Sequence, residues 1–282
     1  MSTDLRQADD AEFWEGFEKV MGPDGLLTYR YLGTRTVEGA DGHPEGSLRI
    51  RHDLRNGGGG LLAAPLSIAI ADLGGTSSDA TGVPAPVQSS VSILDSGRDV
   101  GEIRVRGVTL RNGKSMGFGQ SEIRDAANPA RVIAITRGIW VNLRAAPPGY
   151  RYVDPGPGIE DSPLLPPLPE AFGAKHFDLG VWELPELNAH LGSTTGSLHH
   201  GPTQIVLEGA ALDLAEEVTN TGHAQIEDWS VMYVARGTTG PFRTAGQITC
   251  GHDRISCRVV LRDSGNGDRL VASAVGVFGE TG

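Results

Sequence analysis

The sequence predicts an α+β protein built from two copies of one small unit, each a strand, a central helix and then about four antiparallel strands. Three observations carry this. Arg124-Asp125-x-x-Asn128-x-x-Arg131-Val132-Ile133-Ala134 returns as Arg262-Asp263-x-x-Asn266-x-x-Arg269-Leu270-Val271-Ala272, 138 residues later in a chain of 282. Period-two apolar runs precede both copies. One helical stretch with an early proline precedes each set of runs. A fixed internal period is the first thing to look for in a sequence of this length, because it determines the domain organisation.

Each repeated motif reads as a hairpin: a strand, a turn built on Asp and Asn, and a return strand. Before the first copy, alternation runs through Val87–Leu94, Gly101–Leu110 and Met116–Ile123. Before the second it runs through Ala224–Val234, Phe242–Cys250 and Ile255–Leu261. Alternation over such lengths marks antiparallel strands with one buried face. The first helix carries the stripe Leu62, Leu66, Ile70, Leu73, stepping by four, four and three. The second, Pro202–Val218, is apolar on more than one side, as a well-buried helix must be. Pro65 and Pro202 stand where a missing N–H costs nothing. An extended segment leads into each helix, Gly46–Leu54 and Phe177–Leu184. Asp9–Val20, with Phe13, Trp14 and Phe17, predicts an added N-terminal helix. The units are therefore 1–144 and 174–282. The Pro- and Gly-dense stretch 145–173 joins them as a connection rather than a core element.

Composition narrows the function classes. A hydrophobic content of 39% supports a core, and no apolar run approaches the roughly 18 residues of a membrane span. The acidic start is no secretory signal, so a cytoplasmic location is expected. A net charge of −11 disfavours nucleic acid and anionic membranes as partners. Cys250 and Cys257, in strand-like sequence, form neither a disulfide framework nor a metal-ligand set. No metal and no cofactor is expected.

Leu198-His199-His200-Gly201-Pro202, followed by Glu208 nine residues after His199, is the most specific stretch. With the order of elements, it resembles the hotdog fold and, within it, tandem (double) hotdog acyl-CoA thioesterases of the phenylacetyl-CoA thioesterase-like type. Such proteins show His-Gly-Gly at the start of the central helix and an acid nine residues after that His. The resemblance implies a curved antiparallel sheet wrapped around a central helix in each half. The first half offers Asn56, the glycine run Gly57–Gly60, and Asp72 within the helix. It departs from the pattern by placing Ala63-Ala64-Pro65 where His-Gly-Gly would stand, and in the second half one Gly of the motif is His200. Aligning Pro65 with Pro202 puts Asp72 opposite Gly209, one residue or about 100° of helix away from Glu208.

The implied function is hydrolysis of an acyl-CoA thioester in composite sites between the halves. Each would join one unit's helix start to the other unit's acid. A helix N-terminus presents free N–H groups to a developing oxyanion, and a carboxylate delivers water. One site would combine His199 and Gly201 with Asp72. The other would combine Asn56 and the Gly57–Ala64 loop, with Gly60, with Glu208. Catalytic candidates are thus Asp72, Glu208 and His199; substrate-binding candidates are Asn56, Gly60, His200 and Gly201. Each has a plainer reading: solvent-facing acids at a helix edge, His199 as a helix cap, Asn56 as a turn residue. Ile68, Ile70, Ile205 and Leu207 would line the path of the acyl tail. The partner would be an acyl-CoA or another acyl thioester, and pseudo-dimers could pair further into a homo-oligomer.

Other motifs dissolve on inspection. Gly113-Lys114-Ser115-Met116-Gly117 matches the nucleophile elbow by letter, but it lies between two strands instead of a strand and a helix. Gly57–Gly60 lacks the Lys-Ser/Thr ending of a phosphate loop. Two rivals remain. A hotdog enoyl-CoA hydratase needs an Asp and a His five residues apart, and Glu186-Leu187-Asn188-Ala189-His190 is one residue short with the wrong acid. An acyl-CoA-binding protein without turnover is the other, favoured by the missing His-Gly-Gly.

Overall fold

The computed structural model of the chain describes residues 4–38, 43–71, 82–150, 158–220 and 222–279. In order, its elements are α1 (Asp10–Met21), α2 (Leu27–Leu32), β1 (Arg35–Glu38), β2 (Pro44–Arg49), α3 (Ala63–Ala71), β3 (Gly82–Ile93), β4 (Glu102–Asn112), β5 (Met116–Asp125) and β6 (Val132–Ala145). There follow α4 (Leu168–Ala171), β7 (Lys175–Asp178), β8 (Val181–Leu184), α5 (His200–Thr219), β9 (Ile226–Tyr233), β10 (Phe242–Cys250), β11 (Ile255–Asp263) and β12 (Arg269–Phe278). The strands form a single twelve-stranded sheet in the order β1-β2-β4-β5-β6-β3-β9-β12-β11-β10-β8-β7. Read outward from its centre, the two halves run in the same succession. This is the α+β double hotdog: α3 and α5 lie side by side, each packed on the strands of its own half.

The halves meet where β3 pairs antiparallel with β9, Ser90 facing Ser230. Their registers agree residue for residue. Ile123 pairs with Ala134 and Leu261 with Ala272; one residue on, a bulge shifts both ladders so that Arg124 meets Val132 and Arg262 meets Leu270. The repeated Arg-Asp motif sits on that bulge. Asp263, with no exposed surface, accepts the N–H groups of Thr238, Thr239 and Gly240 at 2.8, 3.1 and 2.7 Å and so holds the turn leading into β10. Asp125 does less, accepting the Ala127 N–H at 2.9 Å and lying 3.5 Å from Arg131.

α5 is buried nearly all round as far as Ala215, which explains its lack of a polar face. Its C-terminus closes on Asn220 in the left-handed region, a residue type that tolerates it. α1 forms as expected, capped by Asp9 with Glu12 reaching back in a capping box. Its Phe13 and Phe17 stack on each other at 5.3 Å and both tilt against Tyr150, with the Arg144 guanidinium over Phe13.

Four expectations are corrected. The connection 145–173 contributes to the core: Leu168 and Phe172, at the ends of α4, are buried, and α4 lies so close to α5 that a Cβ on Gly209 would sit 2.9 Å from Pro169 Cγ. Phe177–Leu184 is a hairpin, β7–β8, rather than one extended segment. Gly46–Leu54 leaves the sheet after Arg49 and ends in a 3-10 turn, His52–Leu54. The helix expected over Leu62–Leu73 begins at Ala63, and Leu73 lies outside the described residues. Gly113–Gly117 is the β4–β5 hairpin turn, with the Gly113 N–H bonded to the Met116 carbonyl.

Three N–H groups on one buried carboxylate make Asp263 the costliest turn residue to remove. Charge-assisted bonds of this kind contribute about 1.5–3 kcal/mol each and are not additive. Asp263→Ala should therefore lower the unfolding free energy by at least about 3 kcal/mol, and Asp125→Ala by clearly less. Urea denaturation of the two variants tests the order.

Candidate active site at the start of α3

The first site is built from the loop that enters α3. Asn56 closes it from inside: its Oδ1 accepts the N–H groups of Gly58 and Gly60 at 3.0 and 2.9 Å, and its Nδ2 donates to Ala224 O and Gln225 Oε1, both at 3.0 Å. Glycine is required at two points: Gly59 has φ +81, and a Cβ on Gly57 would fall 2.2 Å from the Gly222 carbonyl oxygen, while a Cβ on Gly60 would displace Gln225 Oε1. Arg55 ties the same loop to the carbonyls of Gly59, Gly97 and Val100. Asn56 is thus the turn residue that pins the loop to the second half, and Gly60 closes the turn against it.

The loop delivers two backbone donors. Leu62 N–H is used by Leu54 O, and Pro65 has none to give. Ala63 and Ala64 direct theirs across the interface to Glu208 on α5, at 2.6 Å to Oε1 and 2.7 Å to Oε2. Glu208 is 2% exposed. Burial pushes its carboxyl up to about 7, against the pull of the two N–H groups and the helix end. Each carboxylate oxygen keeps a further lone pair, so the group remains able to accept a proton. Glu208 also lines a cavity of about 480 Å³ with Asn56, Leu62, Ile205 and Trp182, walled on one side by Pro163–Pro169 of the connection.

An ion pair that sequence reading missed supports this loop. Arg51, 2% exposed, grips both Asp53 oxygens at 2.9 and 3.0 Å, donates to the carbonyls of Tyr31 and Leu32, and Asp53 also accepts the Tyr31 hydroxyl at 3.0 Å. It fastens α2 to the entrance of the site loop. Arg-x-Asp spacing alone carries no such message. At the rim, His52 Nδ1 lies 2.6 Å from Asp161, and this bond holds the Asp161 carboxyl below its ordinary value. His52, Asp53 and Asp161 bring three ligand atoms within 4.8 Å, but Asp53 is committed to Arg51 and Tyr31.

The helix start of the second half differs. His199 is the N-cap of α5: its Nδ1 accepts the Gly201 N–H at 3.2 Å, which leaves the hydrogen of the neutral ring on Nε2, 3.3 Å from the Tyr29 hydroxyl. α2 is seated directly on this turn, so that a Cβ on Gly201 would fall 2.3 Å from Thr28 Cγ2. Burial keeps His199 well below its ordinary value and pushes His200 down to about 3, so both stay neutral. Asp72, the acid expected opposite them, lies outside the described residues. The structure therefore brings Glu208 to the Asn56–Ala64 loop and places His199, His200 and Gly201 at a separate helix start. Ile68 and Leu207, expected along the acyl path, are core residues that line neither cavity; Ile205 lines the Glu208 cavity, and the side chain of Ile70 lies outside the described residues. The hydratase-like segment is spent on local structure, Asn188 Oδ1 accepting the N–H groups of His190 and Leu191.

No protein-family model matches the chain, and no curated protein resembles it in sequence. Solved structures do resemble it in fold. A conserved hotdog-fold protein of unknown function from Alicyclobacillus acidocaldarius aligns with TM-score 0.57 at 9% identity, over 94% of this chain and 98% of that one. A putative oleoyl thioesterase from Lactobacillus plantarum aligns with TM-score 0.58 at 13% identity, over 86% and 98%. A tesB protein of Mycobacterium avium subs paratuberculosis aligns with TM-score 0.57 at 10% identity, over 87% and 96%. At these identities the likeness establishes the double hotdog fold.

The raised Glu208 carboxyl gives stability a defined pH dependence. Between about 4.5, its unfolded value, and 7 the folded chain holds a proton that the unfolded chain has lost. Its contribution is most favourable below 4.5 and declines as pH rises to 7, by on the order of 3 kcal/mol. Glu208→Gln lacks that slope. The unfolding free energy of wild type minus that of Glu208→Gln should fall across pH 4.5–7 and level off above, as followed by chemical denaturation at each pH.

Proposed function

We propose that the chain hydrolyses acyl thioesters, with acyl-CoA as the substrate class, in the composite site formed by the start of α3 and Glu208. The carrying observation is a buried carboxylate, poised near neutrality, on the only two N–H groups that the first turn of α3 offers. In this reading the thioester oxygen takes over one of the two N–H groups from Glu208. The carboxylate then accepts a proton from the attacking water, the tetrahedral oxyanion forms on the helix end, and the proton passes to the departing thiolate. The name of one fold neighbour, an oleoyl thioesterase (putative), supports this chemistry. The shared registers of the two halves support an internal duplication, with 1–144 and 174–282 as the units. Asp72 retains a proposed role as the acid facing the start of α5.

A second reading rests on one specific feature: both N–H groups are already engaged by Glu208. An acyl thioester could then bind without turnover.

Thiol release from a panel of acyl-CoAs, for wild type, Glu208→Gln and Asp72→Ala, tests the proposal. Loss of a general base costs about 10²–10⁴-fold, so Glu208→Gln should lose at least 100-fold in kcat/KM. The wild-type kcat/KM should rise with pH to a plateau with its midpoint near 7. Activity of Glu208→Gln within threefold of wild type would sink the assignment. Calorimetric binding of acyl-CoA with no thiol release would establish the second reading.

A further inference from the structure

The two halves share their registers but not their fillings. Ser89 pairs with Gly138 as Trp229 pairs with Gly276, so Ser89 occupies the place of Trp229. Ser121 pairs with Thr136 as Val259 pairs with Ala274, and Gly119 pairs with Gly138 as Cys257 pairs with Gly276. Where the second half buries Trp229, Val259 and Cys257, the first has Ser89, Ser121 and Gly119. The indole of Trp229 lies over Gly276, 3.2 Å from where its Cβ would be, whereas a Cβ on Gly138 would meet nothing closer than a carbonyl at 4.0 Å.

The space so left is a second cavity of about 410 Å³ between the inner face of β3–β6, the start of α5, and a cover of Phe17, Met21 and Tyr29. Its wall is mostly apolar, yet it includes polar side chains with no hydrogen-bonding partner in the protein. Ser67 Oγ, Thr136 Oγ1 and His200 Nε2 belong to residues 2%, 1% and 8% exposed. Ser89 Oγ and the Tyr233 hydroxyl are buried in the same wall and face each other. A buried unpaired hydroxyl costs about 1–3 kcal/mol, so a run of them at one cavity points to a ligand that supplies the partner. The charged residues among its described lining are Arg6, Arg137 and Arg236. Arg137 is exposed, while Arg6 is ion-paired with Asp4, and Arg236 pairs with Asp4 and Thr195 through Nη2, its Nε buried without a partner. His200 is neutral.

We propose that this cavity is a second binding site, separate from the Glu208 site, for a molecule with an apolar body and one uncharged hydrogen-bonding group. The body packs in the space that Trp229 fills in the other half, and the polar group lies among Ser67, Thr136 and His200. The groups offered to the polar end, Ser67, Thr136 and the neutral His200, carry no charge, so an ionised head set among them is disfavoured.

Isothermal titration of the whole chain with 1-decanol and with decanoate at pH 8 is the test. Saturable binding of 1-decanol is expected, at least tenfold tighter than that of decanoate. Ser89→Trp, which copies Trp229 into the cavity, should remove the binding at least tenfold with the fold retained by circular dichroism. Gly138→Leu, filling the same space from β6, serves if Ser89→Trp does not fold. Glu208→Gln should bind 1-decanol as wild type does, which separates this site from the hydrolase reading. Absence of saturable binding, equal binding of decanoate, or binding undiminished in the filled variants would overturn the proposal.

Discussion

A carboxylate in the middle of a buried helix must find either donors or a proton, because its ionised form left alone in a core costs far more than a domain's net stability. Glu208 has both options. The first turn of α3 supplies two N–H groups, and burial holds the carboxyl near 7. Those N–H groups would themselves be orphaned in the core without an acceptor. Each half therefore completes the other's unsatisfied group. The requirement fixes how α3 and α5 are offset, and with them the loop that Asn56 folds and that Gln225 and Ala224 anchor to the second half.

The two helix starts solve the same problem in different ways. Ala63, Ala64 and Pro65 open α3, and His200, Gly201 and Pro202 open α5. In α5 the donor of Gly201 is satisfied from within by His199, and α2 covers the turn. In α3 the donors are satisfied from across the interface, beside a cavity. An acceptor that is also titratable makes a helix end chemically useful; a neutral histidine cap only closes it. On the proposed reading, a helix start that receives an oxyanion does not need His-Gly-Gly. Backbone N–H groups from two alanines have the same dipole and direction.

Much of this was legible in the residues. The Arg-Asp-x-x-Asn-x-x-Arg turn shows twice because turn chemistry is local, and the bulge it marks recurs at the same step of both ladders. Glu208 stood out because a charge on a mostly apolar helix needs a reason. The Asn56 loop and Glu208 were paired through the resemblance to composite hotdog sites. The reasons for what remained hidden are physical too. Leu168 and Phe172 are two apolar residues in a Pro-rich stretch, too few to show a period. Arg51 and Asp53 look like surface charges until α2, which lies about twenty residues back in sequence, is laid on them. The closure of the α5 start by Thr28 and Tyr29 depends on a helix of six residues that no periodicity reveals.

The second cavity was the hardest to foresee, because it is a difference between two registers and not a motif. Ser89 reads as an ordinary strand residue until the ladders set it against Trp229. The difference has a size. A buried tryptophan removes about 150–250 Å² from water, or roughly 5 kcal/mol by area, an upper bound because the unfolded chain already hides some of it. A half that forgoes this burial, and also leaves Ser67, Thr136 and His200 unpaired, gives up stability comparable with that of a whole domain. The second half shows that the same backbone accommodates the filled alternative. The sheet does not demand the open form, and the stability it forgoes is what the proposed ligand would offset.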